Sequence, residues 1–354
     1  PTKAATRVGG DGSIAYVRGV RIESSITSIS WIPSEALPGL AKLPFEMGAA
    51  HYDQPPPDRL EGPGAIETLR AGDRFRFANQ LRAWVEVDDD GRIVDHGQAG
   101  SGAIGSTTVK LGRSVTVAAI PLPDRRPEPE VGEGWVRFRQ SAGGRTGVPA
   151  PRRVSHPPFL QVRAPLAWTT LELTLHADGR AEGRLAGASP FPRHWVYDDT
   201  GNLASKSGMI DFNQWYRRAF GKHSPWGEEE SPALTTEVET ALEQELSTRI
   251  MGGGRKPRIR AVKQGHTLVQ EGEQGEEMYL LLDGVLAAEV GGDSVAELGP
   301  GAVLGERAVL EGGRRTATLR ALTPCKVAVV RDVDLDPKLL EQLREGHRRE
   351  DQAR

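Results

Sequence analysis

Short segments that are β-branched or alternate apolar with polar positions recur between turn signals through the first two hundred residues. Between Ser13 and Tyr197 the runs SITSISWI, FRFANQLRAWVEV, STTVKLGRSVTVAAI, GWVRFRQ and TTLELTLHA are of this kind and predict strands. In RAWVEVDDDGRIVDHG the pair Asp90-Gly91 separates two such runs, and Asp178-Gly179 does the same in LELTLHADGRAEGRL. Asp-Gly supplies the positive φ that tight hairpin turns require, so both stretches predict β-hairpins. The proline-rich stretches PLPDRRPEPE and GVPAPRRVSHPPF interrupt the pattern, because proline removes a ladder donor, and predict loops or a subdomain boundary.

Helical spacing begins only after Asp211. Asp211 can cap a helix carrying Phe212, Trp215, Tyr216, Ala219 and Phe220 on one face, with Gly221 at its end. Thr236 and Glu239 form a T-x-x-E capping box for a second helix, with Val238, Leu242, Leu246 and Ile250 as its stripe and Gly252, Gly253 and Gly254 as its stop. These faces suit core or domain contacts, with a dimer seam as the sharper reading. Short strands then return from RIRAVKQG to KVAVVRD with a turn every eight to twelve residues, and LDPKLLEQLREGHRRE reads as a final helix. The expected organisation is mainly β: a β-rich sandwich or barrel over residues 1–210, a helical hinge and linker over 211–254, and a β module with a C-terminal helix over 255–354.

Composition narrows this picture. The chain of 354 residues is long for one core, and two or more domains are expected. Its net charge of −3 argues against a generally basic, nucleic-acid-binding surface. The single cysteine, Cys325, cannot form an intrachain disulfide, and it lies in the strand-like TPCKVAVV, where a buried inert thiol is the expectation. With no long apolar run or leader pattern in view, a soluble cytoplasmic protein without membrane contact is expected.

Candidate chemistry concentrates in GAVLGERAVLEGGRRTATLRA, residues 301–321. GERAVL can begin a helical turn whose free N–H groups face an anion, and Gly301 and Gly305 let the backbone approach closely. Arg315, just before a strand, offers a planar fork for phosphate oxygens, while Glu306 can accept a hydrogen bond from a ribose 2′-hydroxyl. The order LGERAVLEGGRRTATLRA resembles the phosphate-binding cassette of the cyclic nucleotide-binding domain, the β-roll of the bacterial catabolite activator protein, protein kinase regulatory subunits and cyclic-nucleotide-gated channels. Gly305, Glu306, Ala308, Arg315 and Ala317 fall in the family register, and VKQGHTLVQEGEQGEEMYLLLDGVL matches its early strands through Gly265, Gly272, Gly275 and Gly284. The resemblance covers residues 255–343. It implies that Glu306 binds the ribose, that Arg315 binds the cyclic phosphate of cAMP or cGMP, and that amides near Gly305, Arg307 and Ala308 assist. Thr316 follows the arginine as it does in members that prefer cGMP and in some that bind cAMP. Two departures stand out: Leu304 replaces the usual Phe, and Arg307 fills a commonly apolar position. Arg314, where the family often has proline, is expected to face solvent.

Other signals are weaker. GSGAIG, residues 100–105, satisfies G-x-G-x-x-G, but β-branched STTVKLGRSVTV follows it where a dinucleotide fold needs a helix, so it predicts a glycine-rich hairpin or bulge. HYDQPPPD (His51, Tyr52, Asp53) and SPFPRHWVYDD (His194, Trp195, Tyr197, Asp198, Asp199) place histidine, aromatic and carboxylate beside prolines. Such groups serve as a base with its orienting acid or as metal ligands, or simply pack as loops. The expectation is a cyclic nucleotide sensor with no further cofactor or metal, whose N-terminal domain responds to the ligand. The rivals are an N-terminal enzyme using His194 or His51 under control of the β-roll, and a structural protein with a ligand-free β-roll. The N-terminal domain and the hinge helices are the surfaces expected to serve a homo-oligomer or a protein partner. No reader of DNA is expected, since too few residues follow the final helix for a helix-turn-helix.

Overall fold

The computed structural model describes residues 19–33, 52–62, 64–105, 107–111, 113–117, 119–145, 150–153, 160–208, 210, 215, 224–227, 233, 235–237, 258–305, 308 and 313–331. They belong to two compact units, one drawn from residues 1–204 and 211–233 and the other from 205–210 and 234–354. Among the described residues no helix is long and apolar enough to cross a membrane.

The chain runs through β1 (Val20–Trp31), α1 (Ala65–Ala71), β2 (Phe77–Val87), β3 (Ile93–Ile104), β4 (Thr107–Leu111), β5 (Arg113–Val117), β6 (Ile120–Pro121), β7 (Glu130–Gly132), β8 (Trp135–Arg145), β9 (Ala150–Arg153), β10 (Leu160–Arg163), β11 (Leu166–His176), β12 (Ala181–Ala188), β13 (Arg193–Tyr197) and β14 (Leu203–Ser207). The first unit contains the β13-β1-β2-β3 part of one sheet and a second sheet ordered β12-β11-β8-β6, with β7 also on β8. The two sheets share a core of Ile26, Leu81, Val85, Phe138, Leu171, Leu173 and Leu175, so the unit is a β-sandwich. Along β11 the leucines point inward while Glu172 and Thr174 alternate with them, which is the period-two pattern legible in TTLELTLHA.

One end of the sandwich interior is polar. Ser28, Asn79, Gln140 and Thr169 are fully buried. The hydroxyls of Ser28 and Thr169 lie 2.9 Å apart, Asn79 Nδ2 donates to the Thr169 carbonyl at 3.2 Å, and Gln140 Nε2 donates to Asn79 Oδ1 at 2.8 Å. Such a mutually satisfied layer fixes how the two sheets face each other, because sliding either one would leave buried polar groups unpaired.

Both predicted hairpins form: Gly91 (φ 78°) turns β2 into β3, and Gly179 (φ 92°) turns β11 into β12. GSGAIG lies within and just after β3, not between a strand and a helix. The PLPDRRPEPE stretch is less loop-like than its prolines suggest. Ile120–Pro121 pairs with β8, Arg125 forms a bridge to Ser141, Asp124 accepts from Gly102 N at 3.2 Å, and Arg126 donates to the Gly100 carbonyl. These side chains cap outward main-chain groups of β3, a strand at the end of its sheet. GVPAPRRVSHPPF likewise contributes β9, which pairs with β10.

The second unit contains β15 (Thr235–Glu237), β16 (Arg258–Val262), β17 (Thr267–Val269), β18 (Glu277–Asp283), β19 (Leu286–Val290), β20 (Asp293–Leu298), β21 (Val303–Leu304), β22 (Thr318–Ala321) and β23 (Cys325–Arg331). Two antiparallel sheets, β16-β23-β18-β21 and β17-β22-β19-β20, enclose Val262, Tyr279, Leu281, Leu286, Leu304, Leu319 and Val327. The last three residues of β14 pair with β15, Ser205 opposite Glu237. Thr236 is therefore inside a strand and does not cap a helix at that point. Its β-branched pair Thr235-Thr236 finds a ladder partner in Lys206 and Ser207, and the local capping pattern yields to that pairing. The helical readings over 211–221, 238–254 and 335–347 otherwise lie outside the described residues, apart from helical Trp215. Cys325 is buried as expected; burial pushes its thiol up, against the buried-thiol contact to Thr323.

Candidate functional site

Arg315 is held from three sides. Its backbone is laced to the 272–275 turn: Arg315 N donates to the Glu273 carbonyl at 2.8 Å, Gly272 N returns a bond to the Arg315 carbonyl at 2.8 Å, and Gly275 N donates to the Gly313 carbonyl at 2.8 Å. A bridge between Gln274 and Arg314 lies in the same ladder. This short pairing sets the position of the Arg315 Cα just before β22.

The side chain is buried, only 5% exposed. Its Nη2 donates to the Glu277 carbonyl at 2.7 Å and its Nη1 to the Gly305 carbonyl at 3.2 Å. The guanidinium lies 5.5 Å from the Tyr279 ring centroid, within cation–π range. Glycines form the cradle. A Cβ at Gly275 would overlap Nη2 and a Cβ at Gly305 would overlap Nη1, and Gly305 also has a φ of 79° that disfavours side chains. The two glycines are thus explained by the space the arginine takes.

Of the five guanidinium N–H groups, two are directed at neutral carbonyls, and among the described residues no carboxylate neutralises the charge. A buried cation held only by carbonyl dipoles is electrostatically incomplete and favours an anion within reach. Glu277 contributes its carbonyl to Arg315 and turns its carboxylate elsewhere: Tyr279 Oη donates to Oε2 at 3.1 Å, and Arg258 Nη2 lies 3.3 Å from Oε1. Burial, then the hydrogen bond to Glu277, raises the Tyr279 phenol above its ordinary range, so it remains a neutral donor.

Among the other cassette residues, Gly305 closes the arginine cradle, Ala308 is buried and Thr316 is exposed beside Arg315. Arg314 is exposed and donates to the Gly272 carbonyl at 3.3 Å, as its expected solvent-facing position implies. Leu304 is a core residue on β21. Glu306 and Arg307 lie outside the described residues. Sequence reasoning missed the Glu277 carbonyl and the Tyr279 ring. A carbonyl has no side-chain signature, and Tyr279 is visible only as the aromatic in MYLLLD.

The histidine-centred candidates are structural where they are described. His194 is fully buried on β13, its Nε2 2.8 Å from the Ser189 carbonyl and its Nδ1 2.6 Å from Ser30 Oγ. Nε2 must carry the proton donated to that carbonyl, so Nδ1 accepts from the serine. Burial pushes the ring down to about 4, against the opposing Ser189 bond, so it is neutral near pH 7 and sealed from any substrate. Trp195, the next residue along the strand, stacks edge-on against Trp31 at 5.3 Å, and Tyr197 Oη donates to the Pro57 carbonyl at 2.9 Å. Asp198 organises a turn by accepting from Thr200 N and Asn202 N, while Asp199 accepts from Ser24 Oγ. Asp53 is buried in an ion pair with Arg76, at 2.7 Å, and also accepts from Ile32 N. His51 lies outside the described residues. Among the described residues no group of three or more His, Cys, Asp or Glu is placed to hold a metal.

A family model, the cyclic nucleotide-binding domain, matches residues 259–341. Over 72 residues, 20% of this chain, the sequence is 35% identical to the potassium/sodium hyperpolarization-activated cyclic nucleotide-gated channel 4 of Homo sapiens, of which the match covers 6%. Over 63 residues, 18% of this chain, it is 40% identical to an uncharacterized protein of Mycobacterium tuberculosis, covering 12% of that protein. The chain therefore spans only a small part of the length of these relatives. Similar solved structures include a cyclic nucleotide-binding domain from Methylobacillus flagellatus, with 28% identity, covering 26% of this chain and 62% of that one at a TM-score of 0.23. Another is the N-terminal domain of a transcriptional regulator from Streptomyces coelicolor, with 23% identity, covering 33% and 87% at a TM-score of 0.26.

Proposed function

We propose that the cyclic nucleotide-binding domain at residues 259–341 is a working receptor, and that the protein is a sensor whose β-sandwich responds to cAMP or cGMP. The observation that carries this reading is Arg315: a buried guanidinium in a glycine cradle, bonded only to the Gly305 and Glu277 carbonyls among the described residues. A cyclic phosphate supplies the missing negative charge through short, charge-assisted bonds. Glu306 takes the ribose 2′-hydroxyl, amides of Gly305, Arg307 and Ala308 support the phosphate, and Thr316 stands on the base side. Leu304 serves as core, so its difference from the usual Phe alters the pocket wall and leaves the polar pair in place.

Thermal unfolding with each nucleotide tests the proposal. A ligand at a hundred times its dissociation constant stabilises the native state by about 2.7 kcal/mol. The expected result is a rise in melting temperature with cAMP or cGMP and a loss of about a hundredfold or more in affinity for Arg315→Ala, as for truncation of one member of a buried charge pair. No shift with either nucleotide, or an unchanged shift in the Arg315→Ala variant, overturns the receptor reading.

A further inference from the structure

The Arg315 cradle and a second polar contact occupy the two ends of one strand. At the first residue of β18, the Glu277 carbonyl accepts from Arg315 Nη2 at 2.7 Å. At its last residue, Asp283 Oδ1 accepts from the Ile210 main-chain amide at 2.7 Å. Asp283 and Ile210 are both buried, 6% and 5% exposed. Ile210 does not belong to the sequence around the β18 strand; it closes the segment 205–210, whose first three residues pair with β15 in the same compact unit.

The backbone explains why Asp283 reaches that amide. Tyr279 and Leu281 face the core of the β-roll. Between Leu281, opposite Val327, and Asp283, opposite Lys326, the register shifts by a β-bulge. The extra residue, Leu282, reverses the alternation, so Asp283 turns to the other face of the sheet. Re-aiming a side chain in this way is what bulges accomplish. Between its two polar ends β18 is an interior strand, paired to β23 on one side and β21 on the other, with Met278 to Asp283 all buried. A strand so enclosed shifts as a body, because a local distortion would break ladder bonds or open voids.

We propose that β18 passes the state of the Arg315 site to segment 205–210, with the Ile210 amide and the Asp283 carboxylate as the latch at its far end. The functional meaning of the coupling rests on the receptor reading above. An anion that draws the guanidinium toward itself loosens its hold on the Glu277 carbonyl, and β18 carries the change to Asp283. Segment 205–210 is a six-residue excursion of the chain between residue 204 and residue 211, both of which belong to the sandwich unit. Whatever displaces Ile210 therefore acts on covalently adjoining chain of the sandwich at both ends. β18 thus touches the cradle at one end and the latch at the other, so a change in its position is felt at both.

Hydrogen exchange on the full-length protein tests it, read on peptides covering 203–210. Ile210→Pro removes the donor without touching Asp283, and exchange across 205–208 should accelerate at least tenfold; Asp283→Ala should do the same. The decisive arm needs no nucleotide: Arg315→Ala, with Arg315→Lys as the milder variant in case the first fails to fold, should accelerate exchange at 203–210 severalfold and leave peptides of β11 unchanged. Unaltered exchange at 203–210 in a folded Arg315 variant overturns the coupling. Addition of cAMP or cGMP to the wild type should change exchange in the same segment, and Ile210→Pro should erase that change while still binding. Nucleotide that binds and leaves 203–210 unchanged overturns the latch but not the receptor. Failure of every nucleotide to bind overturns the receptor reading, and the Arg315 variants still decide the latch.

Discussion

His194 and Arg315 are both buried groups of basic type, and their surroundings give them opposite tasks. Arg315 directs its guanidinium at two neutral carbonyls, and that cradle leaves its positive charge available to a ligand. Burial keeps His194 neutral, with its ring down to about 4 from an ordinary 6.5. The sign of the resulting pH dependence follows directly. Between those values the unfolded chain binds a proton that the native ring does not, so stability is fully present above about pH 6.5 and is lost as the pH falls toward 4. The expected loss between pH 7 and pH 5 is about 2 kcal/mol from this residue alone. Urea unfolding at the two pH values checks it. His194→Gln, which retains a donor but does not titrate, should flatten the difference, and an equally steep fall in that variant would assign the loss to other groups.

The proposed phosphate site depends on a pairing of two short segments, 272–275 with 313–315, more than on any one side chain. Gly275 is the tightest point of this pairing, where a Cβ would meet Nε and Nη2 of Arg315. Gly275→Ala should therefore displace the guanidinium and weaken nucleotide binding about tenfold or more, since a charge-assisted bond weakens steeply with distance and misalignment. Calorimetric titration of the variant reads the effect, and wild-type affinity would show that the cradle tolerates the methyl group. Elements of this kind also mark how far the sequence was legible. The period-two strand β11, the short apolar run of β18 and the Asp-Gly turns at 90–91 and 178–179 could be read directly, because their signal is local. The Gly305 and Arg315 positions were legible through motif register, while the carbonyl of Glu277 was not, since every residue has one. Thr236 misled for the opposite reason: a valid local capping pattern was overridden by pairing with residues thirty positions earlier. The strap at 121–130 was hidden similarly, its prolines signalling the absence of ladder donors while Arg125 and Asp124 supplied bonds of their own.

At the scale of the whole molecule the two units are interleaved along the chain. The sequence pattern suggests a β-roll beginning near residue 255, yet residues 205–210 and 234–237 belong to the same compact unit as the roll, and 211–233 returns to the sandwich unit. There Trp215 Nε1 donates to the Leu166 carbonyl at 2.7 Å, Trp226 Nε1 to the Pro123 carbonyl at 2.9 Å, and Ala233 N to the Ala186 carbonyl at 3.4 Å. The chain thus passes between units at 204–205, 210–211 and 233–234. A fragment of residues 255–354 retains Glu277, Gly305 and Arg315 but lacks the Ile210 donor to buried Asp283. Removing one hydrogen bond to a buried carboxylate costs about 1–3 kcal/mol, and each kcal/mol corresponds to about 4–8 °C for a domain of 60–100 residues. The fragment should bind nucleotide yet melt about 5 °C or more below the corresponding transition of the full chain, with Ile210→Pro in the full chain moving that transition in the same direction. Scanning calorimetry of the three proteins distinguishes the cases. Equal melting of fragment and full chain would make segment 205–210 a passive connection, whereas a lowered transition makes the roll depend on chain that precedes it by more than forty residues.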